Sequence, residues 1–409
     1  MLVSTFFTSL HMLLQPIGFV VNVLYGFGDT VGHAYRPLQI KNQLLEDGDI
    51  GKVLGDIVEM SKDRWPIEFT FDADFEESSG FKAFKESKIS IVMANHVGGN
   101  DFMAVLDLFK RANRLNDIRF VTFESFTNPP LVGKFAKVRK EIQSIFDKFD
   151  AVLLPDPGKL TKAGKDAKTV IREYAESKIA EVTNYAIVIF PEGRLLEKKA
   201  YSECKQFMSS KMGLAPSEIW QATCAPKVNG VELLINGIPD ADIFDITLQY
   251  TYRGSGLASE DSYPGDIFDV KSVFFRNLHP QKIYSKIDLL DKESIMQSIK
   301  ESKQDKLMSL PPLPVNSEAN ERSSLFQRKR KSTITMDPAT ARSKSEKIRN
   351  HWLNRLWTSK NEFLVNKHNE DLQSGVVSKG KQKLGKCWLT SCIDYLKPRP
   401  TKRRRFDDK

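Results

Sequence analysis

The sequence predicts an α/β fold with a mixed, largely parallel sheet flanked by helices. Two short apolar runs, Ile89–Ala94 and Tyr185–Ile189, have the composition of strands that are buried on both faces. Between them, the pattern over Lys165–Ile179 predicts a crossover helix that feeds the second strand. This strand–helix–strand order is typical of βαβ units, whose strands are parallel.

Composition divides the 409 residues into six consecutive segments, of which the third carries the predicted sheet. In residues 299–345, the Pro-rich and basic composition predicts disorder. In residues 346–368, apolar residues spaced three, four and seven positions apart predict an amphipathic helix. This helix either packs on the α/β domain or lies in a membrane interface. The segments are a membrane segment (1–28), a helical connector (29–79), an α/β domain (80–298), a disordered basic linker (299–345), an amphipathic closing helix (346–368) and a basic C-terminal tail (369–409).

The first segment has no charged residue from Met1 to Gly28 and is long enough to span a bilayer of about 30 Å. Pro16 would either kink a spanning helix or divide it into two halves of a re-entrant hairpin. Both arrangements anchor the protein to a membrane. The alternative is a buried core helix, because Ser, Thr and Asn residues dilute the apolar run.

The net charge of +9 favours anionic partners. The basic residues of the chain are concentrated in its C-terminal quarter, and no nucleic-acid-binding module is recognisable. We therefore expect the partner to be a surface of anionic membrane lipids and not a nucleic acid. The four cysteines have neither metal-ligand spacing nor the density of a disulfide scaffold. We therefore expect no metal and a reducing compartment.

A first polar motif, Asn95–Asp101, follows the first strand-like run. An Asp five residues after a His can hold the imidazole through Nδ1 and leave Nε2 free to take a proton from a bound hydroxyl. Gly98 and Gly99 allow the tight turn that brings Asp101 back to His96. The alternative is a helix-capping Asp near an unrelated surface His.

A second motif, Phe190–Arg194, follows the second strand-like run. Glu192 offers a carboxylate to a polar head group, Gly193 leaves the backbone open to an anion, and Arg194 is a candidate phosphate partner. The alternative is an ordinary Pro-Gly turn.

Together these motifs resemble the conserved blocks of the glycerolipid acyltransferases, which move an acyl group from acyl-CoA to glycerol phosphates or lysophospholipids. Block one matches at Asn95, His96 and Asp101, block three at Phe190–Gly193 and block four at Pro226. Block two is looser, at Phe123–Lys134, where Glu124 or Ser125 replaces the family's cation. The block-three position of Arg194 usually holds Thr or Ser.

A Trp-containing stretch near the C-terminus, His351–Leu364, is similar to the closing helix of the lysophosphatidylinositol and lysocardiolipin acyltransferase branch. The resemblance implies that residues 80–298 are the acyltransferase domain, with acyl-CoA as co-substrate and no bound cofactor. It further implies a lysophospholipid or glycerol-phosphate acceptor and the endoplasmic reticulum membrane as location.

The resemblance also assigns roles to individual residues. His96 is the expected general base and Asp101 orients it, while Glu192, Gly193 and Arg194 position the acceptor head group, with Lys227 after Pro226 as a phosphate cation. A catalytically impaired relative that only binds membranes is the alternative. An α/β-hydrolase-type lipase is disfavoured, because the chain lacks a Gly-x-Ser-x-Gly motif.

Overall fold

The fold is described from a computed structural model, which covers residues 49–64, 67–124, 144, 146–156, 159–161, 164–178, 183–252, 263–269, 272, 279–308 and 338–373. The predicted membrane segment, the C-terminal tail after residue 373 and most of block two lie outside these residues. Among the helices within these ranges, none has both the length and the apolar character needed to cross a bilayer.

Seven strands of the described residues form one sheet in the order β1-β7-β6-β2-β5-β3-β4. All neighbouring strands are parallel except β6 and β7, which are antiparallel. This confirms the predicted α/β class with a mixed, largely parallel sheet. The strands are β1 (Glu68–Thr70), β2 (Ile89–Ala94), β3 (Ile118–Phe123), β4 (Val152–Leu154), β5 (Tyr185–Ile189), β6 (Asp242–Thr251) and β7 (Lys282–Leu289).

Helices flank the sheet on both faces, and the predicted crossover helix is among them. The helices are α1 (Ile50–Arg64), α2 (Ser79–Glu86), α3 (Asp101–Arg111), α4 (Ala167–Lys178), α5 (Lys198–Ser210), α6 (Val228–Gly237), α7 (Pro264–Ile267), α8 (Lys292–Met308), α9 (Pro338–Arg349) and α10 (Trp352–Gln373).

The core has two layers, one on each face of the sheet, because successive strand residues point to opposite sides. On β2, Val92 and Ala94 pack with α1, α2 and α3, whereas Ile91 and Met93 pack with α4, α6 and α10. The strand β5 likewise contributes side chains to both layers, so β2 and β5 are covered on two faces, which explains why nearly all of their residues are apolar.

Two features differ in detail from the segments drawn from composition, and the packing of the closing helix agrees with one of the two alternatives given for it. The connector expected to be helical contains β1, whose Glu68–Thr70 pairs with Lys282–Tyr284 of β7 and so belongs to the sheet. The described ends of the expected linker are helical, in α8 and α9. The closing helix α10 packs on the α/β domain, where Trp352, Leu353 and Trp357 are buried in the second core layer.

Candidate active site

Both polar motifs lie at the same edge of the sheet, because β2 and β5 are adjacent and parallel. His96 follows the end of β2, and Phe190 follows the end of β5. Their rings stack, with centroids 4.4 Å apart and planes inclined by 25°. The turn after β5 therefore forms one wall beside the imidazole.

The sequence-predicted contact between His96 and Asp101 is present. The Nδ1 atom of His96 lies 2.8 Å from Oδ2 of Asp101, and the backbone N–H groups of Val97 and Gly98 donate to the same oxygen at 2.6 and 3.0 Å. Asp101 is almost fully buried, whereas 26% of the His96 side chain is exposed. The carboxylate is thus held behind the imidazole, and the imidazole alone faces outward.

Asn95 ties the start of this loop to the neighbouring strand β6. Its side chain accepts a hydrogen bond from the backbone N–H of Leu248 at 2.8 Å and donates to the carbonyl of the same residue at 2.9 Å. At the other end of the loop, Gly99 donates to the carbonyl of Phe268 at 2.7 Å. These contacts fix the loop that carries His96, since Asn95 is fully buried.

Gly98 is required by close packing. A Cβ atom at this position would lie 2.8 Å from Cε2 of Tyr250. Tyr250 itself is buried beside Asp101. Burial and the neighbouring Asp101 raise the pKa of Tyr250 well above its usual value. Sequence reasoning missed Tyr250 as a neighbour of Asp101, because 149 positions separate them and only the pairing of β2 with β6 brings them together.

The structure places Glu192 differently from the sequence-based prediction of a head-group contact. The side chain is buried, and its carboxylate oxygens accept hydrogen bonds from Nε1 of Trp357 at 3.0 Å and from the backbone N–H of Cys224 at 3.2 Å. Burial raises the pKa of Glu192 to about 8. Both of its oxygens are therefore occupied by donors of the protein itself.

Gly193, Arg194 and Lys227 lie together beside His96. Gly193 has φ of +65°, and a Cβ atom there would lie 2.8 Å from Nζ of Lys227. Arg194 is exposed and forms an ion pair with Glu203. Pro226 is buried and precedes Lys227, whose N–H donates to the carbonyl of Pro191 at 2.8 Å.

Lys227 is the freest cation of this group, since its ammonium forms no hydrogen bond or ion pair with the described residues. Its side chain reaches solvent on one side. Desolvation by the surrounding walls and the positive charge of Arg194 lower the pKa of Lys227. An anion placed between these two cations would relieve their repulsion.

A cavity of about 890 Å³ opens beside the imidazole, with His96, Gly193, Arg194 and Lys227 among its lining residues. Most of the remaining wall is apolar. The apolar lining includes Phe102, Phe120, Phe123, Leu154, Ile171, Ile189 and Leu195. An apolar cavity of this size with a few convergent polar groups is typical of ligand-binding sites.

Within the described ranges, no group of three or more His, Cys, Asp and Glu side chains is placed to hold a metal ion. The chain matches no protein-family model, no curated protein and no solved structure. The acyltransferase resemblance therefore stays a prediction from the motifs, and the geometry of the site is what bears on function.

Proposed function

We propose that this protein is an acyl-CoA-dependent O-acyltransferase that acylates the hydroxyl group of a lysophospholipid or glycerol phosphate. The observation that supports this most is the imidazole of His96, held by Asp101 at 2.8 Å and open to a large, mostly apolar cavity. A hydroxyl substrate needs such a base, and a fatty acyl chain needs such a cavity.

Asp101 determines which nitrogen of His96 can act. Because its Oδ2 lies at hydrogen-bond distance from Nδ1, it favours the tautomer with the proton on Nδ1 and an unprotonated Nε2. In the proposed reaction, Nε2 takes the proton of the acceptor hydroxyl while the oxygen attacks the thioester carbonyl carbon. The C–S bond then breaks, and the imidazolium returns the proton to the departing CoA thiolate, so no covalent enzyme intermediate is needed.

The buried carboxylate of Asp101 stabilises the imidazolium formed in this step. Two backbone N–H groups share its Oδ2, which keeps the carboxylate from rotating away from the ring. The nearby Phe190 ring stacks on the imidazole and limits its other rotamers. These contacts pre-organise the base before the substrate arrives.

The cationic wall of the cavity, formed by Arg194 and Lys227, suits a phosphate-bearing acceptor. Lys227 offers an ammonium without a partner among the described residues, and the absence of a side chain at Gly193 leaves space beside that ammonium, since a Cβ atom there would lie 2.8 Å from Nζ. To bind the phosphate, alone or together with Lys227, Arg194 would have to break its ion pair with Glu203. The apolar part of the cavity would then receive an acyl chain.

The proposal includes the glycerolipid acyltransferase family, with the lysophosphatidylinositol and lysocardiolipin branch as the preferred relatives. It also includes membrane attachment through residues 1–28, an anionic membrane surface as partner and the endoplasmic reticulum as location. The net charge of +9 supports the choice of an anionic surface.

The test is a transfer assay with purified full-length protein in detergent. Labelled oleoyl-CoA is incubated with a panel of lysophospholipids that includes lysophosphatidylinositol and lysophosphatidic acid, and the lipid products are separated. We expect one or more acceptors to be acylated by the wild type and none by His96→Ala. Folded protein that binds liposomes but transfers no acyl group would contradict the enzyme proposal and favour a membrane-binding protein.

A further inference from the structure

Helix α10, the last helix among the described residues, contacts the turn that carries Gly193 and Arg194. Its Trp357 is fully buried and donates through Nε1 to Oε1 of Glu192 at 3.0 Å. We propose that Trp357 and Glu192 are positioning residues, which set the geometry of Gly193 and Lys227. Through them, helix α10 contributes to the acceptor site. This inference rests on the proposed acyltransferase function.

Glu192 joins three segments of the chain that are distant in sequence. One carboxylate oxygen accepts from Trp357, and the other accepts from the backbone N–H of Cys224 at 3.2 Å. Cys224 lies three residues before Lys227, so the second bond restrains the segment that presents this cation. A buried carboxyl group that loses either partner is left with an unsatisfied acceptor.

Backbone hydrogen bonds of the turn couple the position of Glu192 to the positions of Gly193 and Lys227. The N–H of Gly193 donates to the carbonyl of Phe190 at 2.9 Å, and the N–H of Lys227 donates to the carbonyl of Pro191 at 2.8 Å. Glu192 is the residue between Pro191 and Gly193. A shift of its side chain therefore moves the carbonyl that holds Lys227 and the glycine that faces its ammonium.

Helix α10 is itself held in place by polar contacts with the α/β domain. Nζ of Lys360 lies 2.7 Å from Oδ1 of Asp245 and 2.9 Å from the carbonyl of Ile246, and it also lies over the Trp357 ring at 4.4 Å. The side chain of Asn361 accepts from the N–H groups of Gln221 and Ala222, both at 2.8 Å. The indole is thus held from the strand side and from the segment before Cys224.

The same helix provides a matched control. Trp352 is also buried, at 5% exposure, but its Nε1 has no hydrogen-bond partner among the described residues. Trp352→Phe removes the same atoms from the same helix as Trp357→Phe without removing a hydrogen bond to the site. A purely structural role for the two indoles predicts similar effects of both substitutions.

The experiment measures the acceptor KM, kcat and the hydrogen exchange of peptides covering residues 185–196 in the full-length protein. We expect Trp357→Phe to raise the acceptor KM at least five-fold with kcat within two-fold, and to speed exchange in these peptides. Trp352→Phe should leave all three within two-fold of the wild type. In a Glu192→Met background, Trp357→Phe should have no further effect on the acceptor KM.

Equal effects of the two Trp substitutions, or an additive effect of Trp357→Phe in the Glu192→Met protein, would overturn the positioning role. Hydrogen exchange needs no turnover, so it separates this inference from the proposed function. A wild type that transfers no acyl group contradicts the function, while faster exchange in Trp357→Phe alone would still support the coupling of helix and turn.

Discussion

Replacing Lys360 by Met should destabilise the protein far more than the same change at an exposed ion pair. Lys360 and Asp245 form a pair 2.7 Å apart with side-chain exposures of 1% and 4%. Removing the cation leaves Asp245 buried without a counter-charge, which costs about 3–5 kcal/mol. The matched control is Lys282→Met, which breaks a pair with Glu68 whose side chains are 41% and 58% exposed and which contributes about 0.2–1 kcal/mol.

The assay is urea denaturation of the full-length protein, followed by circular dichroism at two pH values. Burial raises the pKa of Asp245, and Lys360 opposes this rise. Without Lys360 the carboxyl group can become neutral by protonation, so the deficit should shrink as the pH falls towards 4. Asp245→Asn should likewise recover much of the loss in the Lys360→Met protein. A Lys360→Met variant no less stable than Lys282→Met would refute the reasoning.

Three further predictions concern the site. Gly98→Ala should lower the rate of acyl transfer about 100-fold, because the new Cβ atom would lie 2.8 Å from the buried Tyr250 ring and displace the loop. The control is Gly55→Ala in helix α1, where the new Cβ atom would lie 3.7 Å from its nearest neighbour and the rate should stay unchanged. Since burial raises the pKa of Glu192 from 4.5 to about 8, its stabilising contribution is complete below pH 4.5 and is lost as the pH rises through about 8. Glu192→Gln should therefore reduce the decline of the unfolding free energy between pH 4.5 and about 8, as measured by urea denaturation at several pH values. The same pH dependence in Glu192→Gln and wild type would contradict the raised pKa of Glu192. Lys227→Met should raise the acceptor KM about ten-fold with little change in the KM for acyl-CoA, as measured in steady-state assays.

Two central strands of the sheet, and the His96–Asp101 pair that follows the first of them, could be predicted from local sequence. Apart from Ser90, Ile89–Ala94 and Tyr185–Ile189 are apolar because helices cover both faces of β2 and β5, and this composition is readable from the chain. The contact between His96 and Asp101 is also local, since only five positions separate them. Short-range spacing carries such information well.

The environment of Glu192 could not be predicted, because its partner Trp357 lies 165 positions away. The motif shows a carboxylate after a strand, and that pattern fits a substrate contact as well as a buried structural group. Only the docking of α10 decides between them. The strand β1 was missed for a similar reason, since three residues carry little periodicity and their pairing with β7 is distant in sequence.

The most direct test of the central claim compares the acyl-transfer rates of wild type, Asp101→Asn and Asp107→Asn with the best acceptor. Asp101 and Asp107 are equally buried in the same helix, but Asp107 pairs with Lys62 and Arg111 instead of His96. We predict that Asp101→Asn lowers the rate about 10²–10⁴-fold, while folded Asp107→Asn stays within about ten-fold of the wild type. A folded Asp101→Asn protein with the wild-type rate would contradict the role of the His96–Asp101 pair.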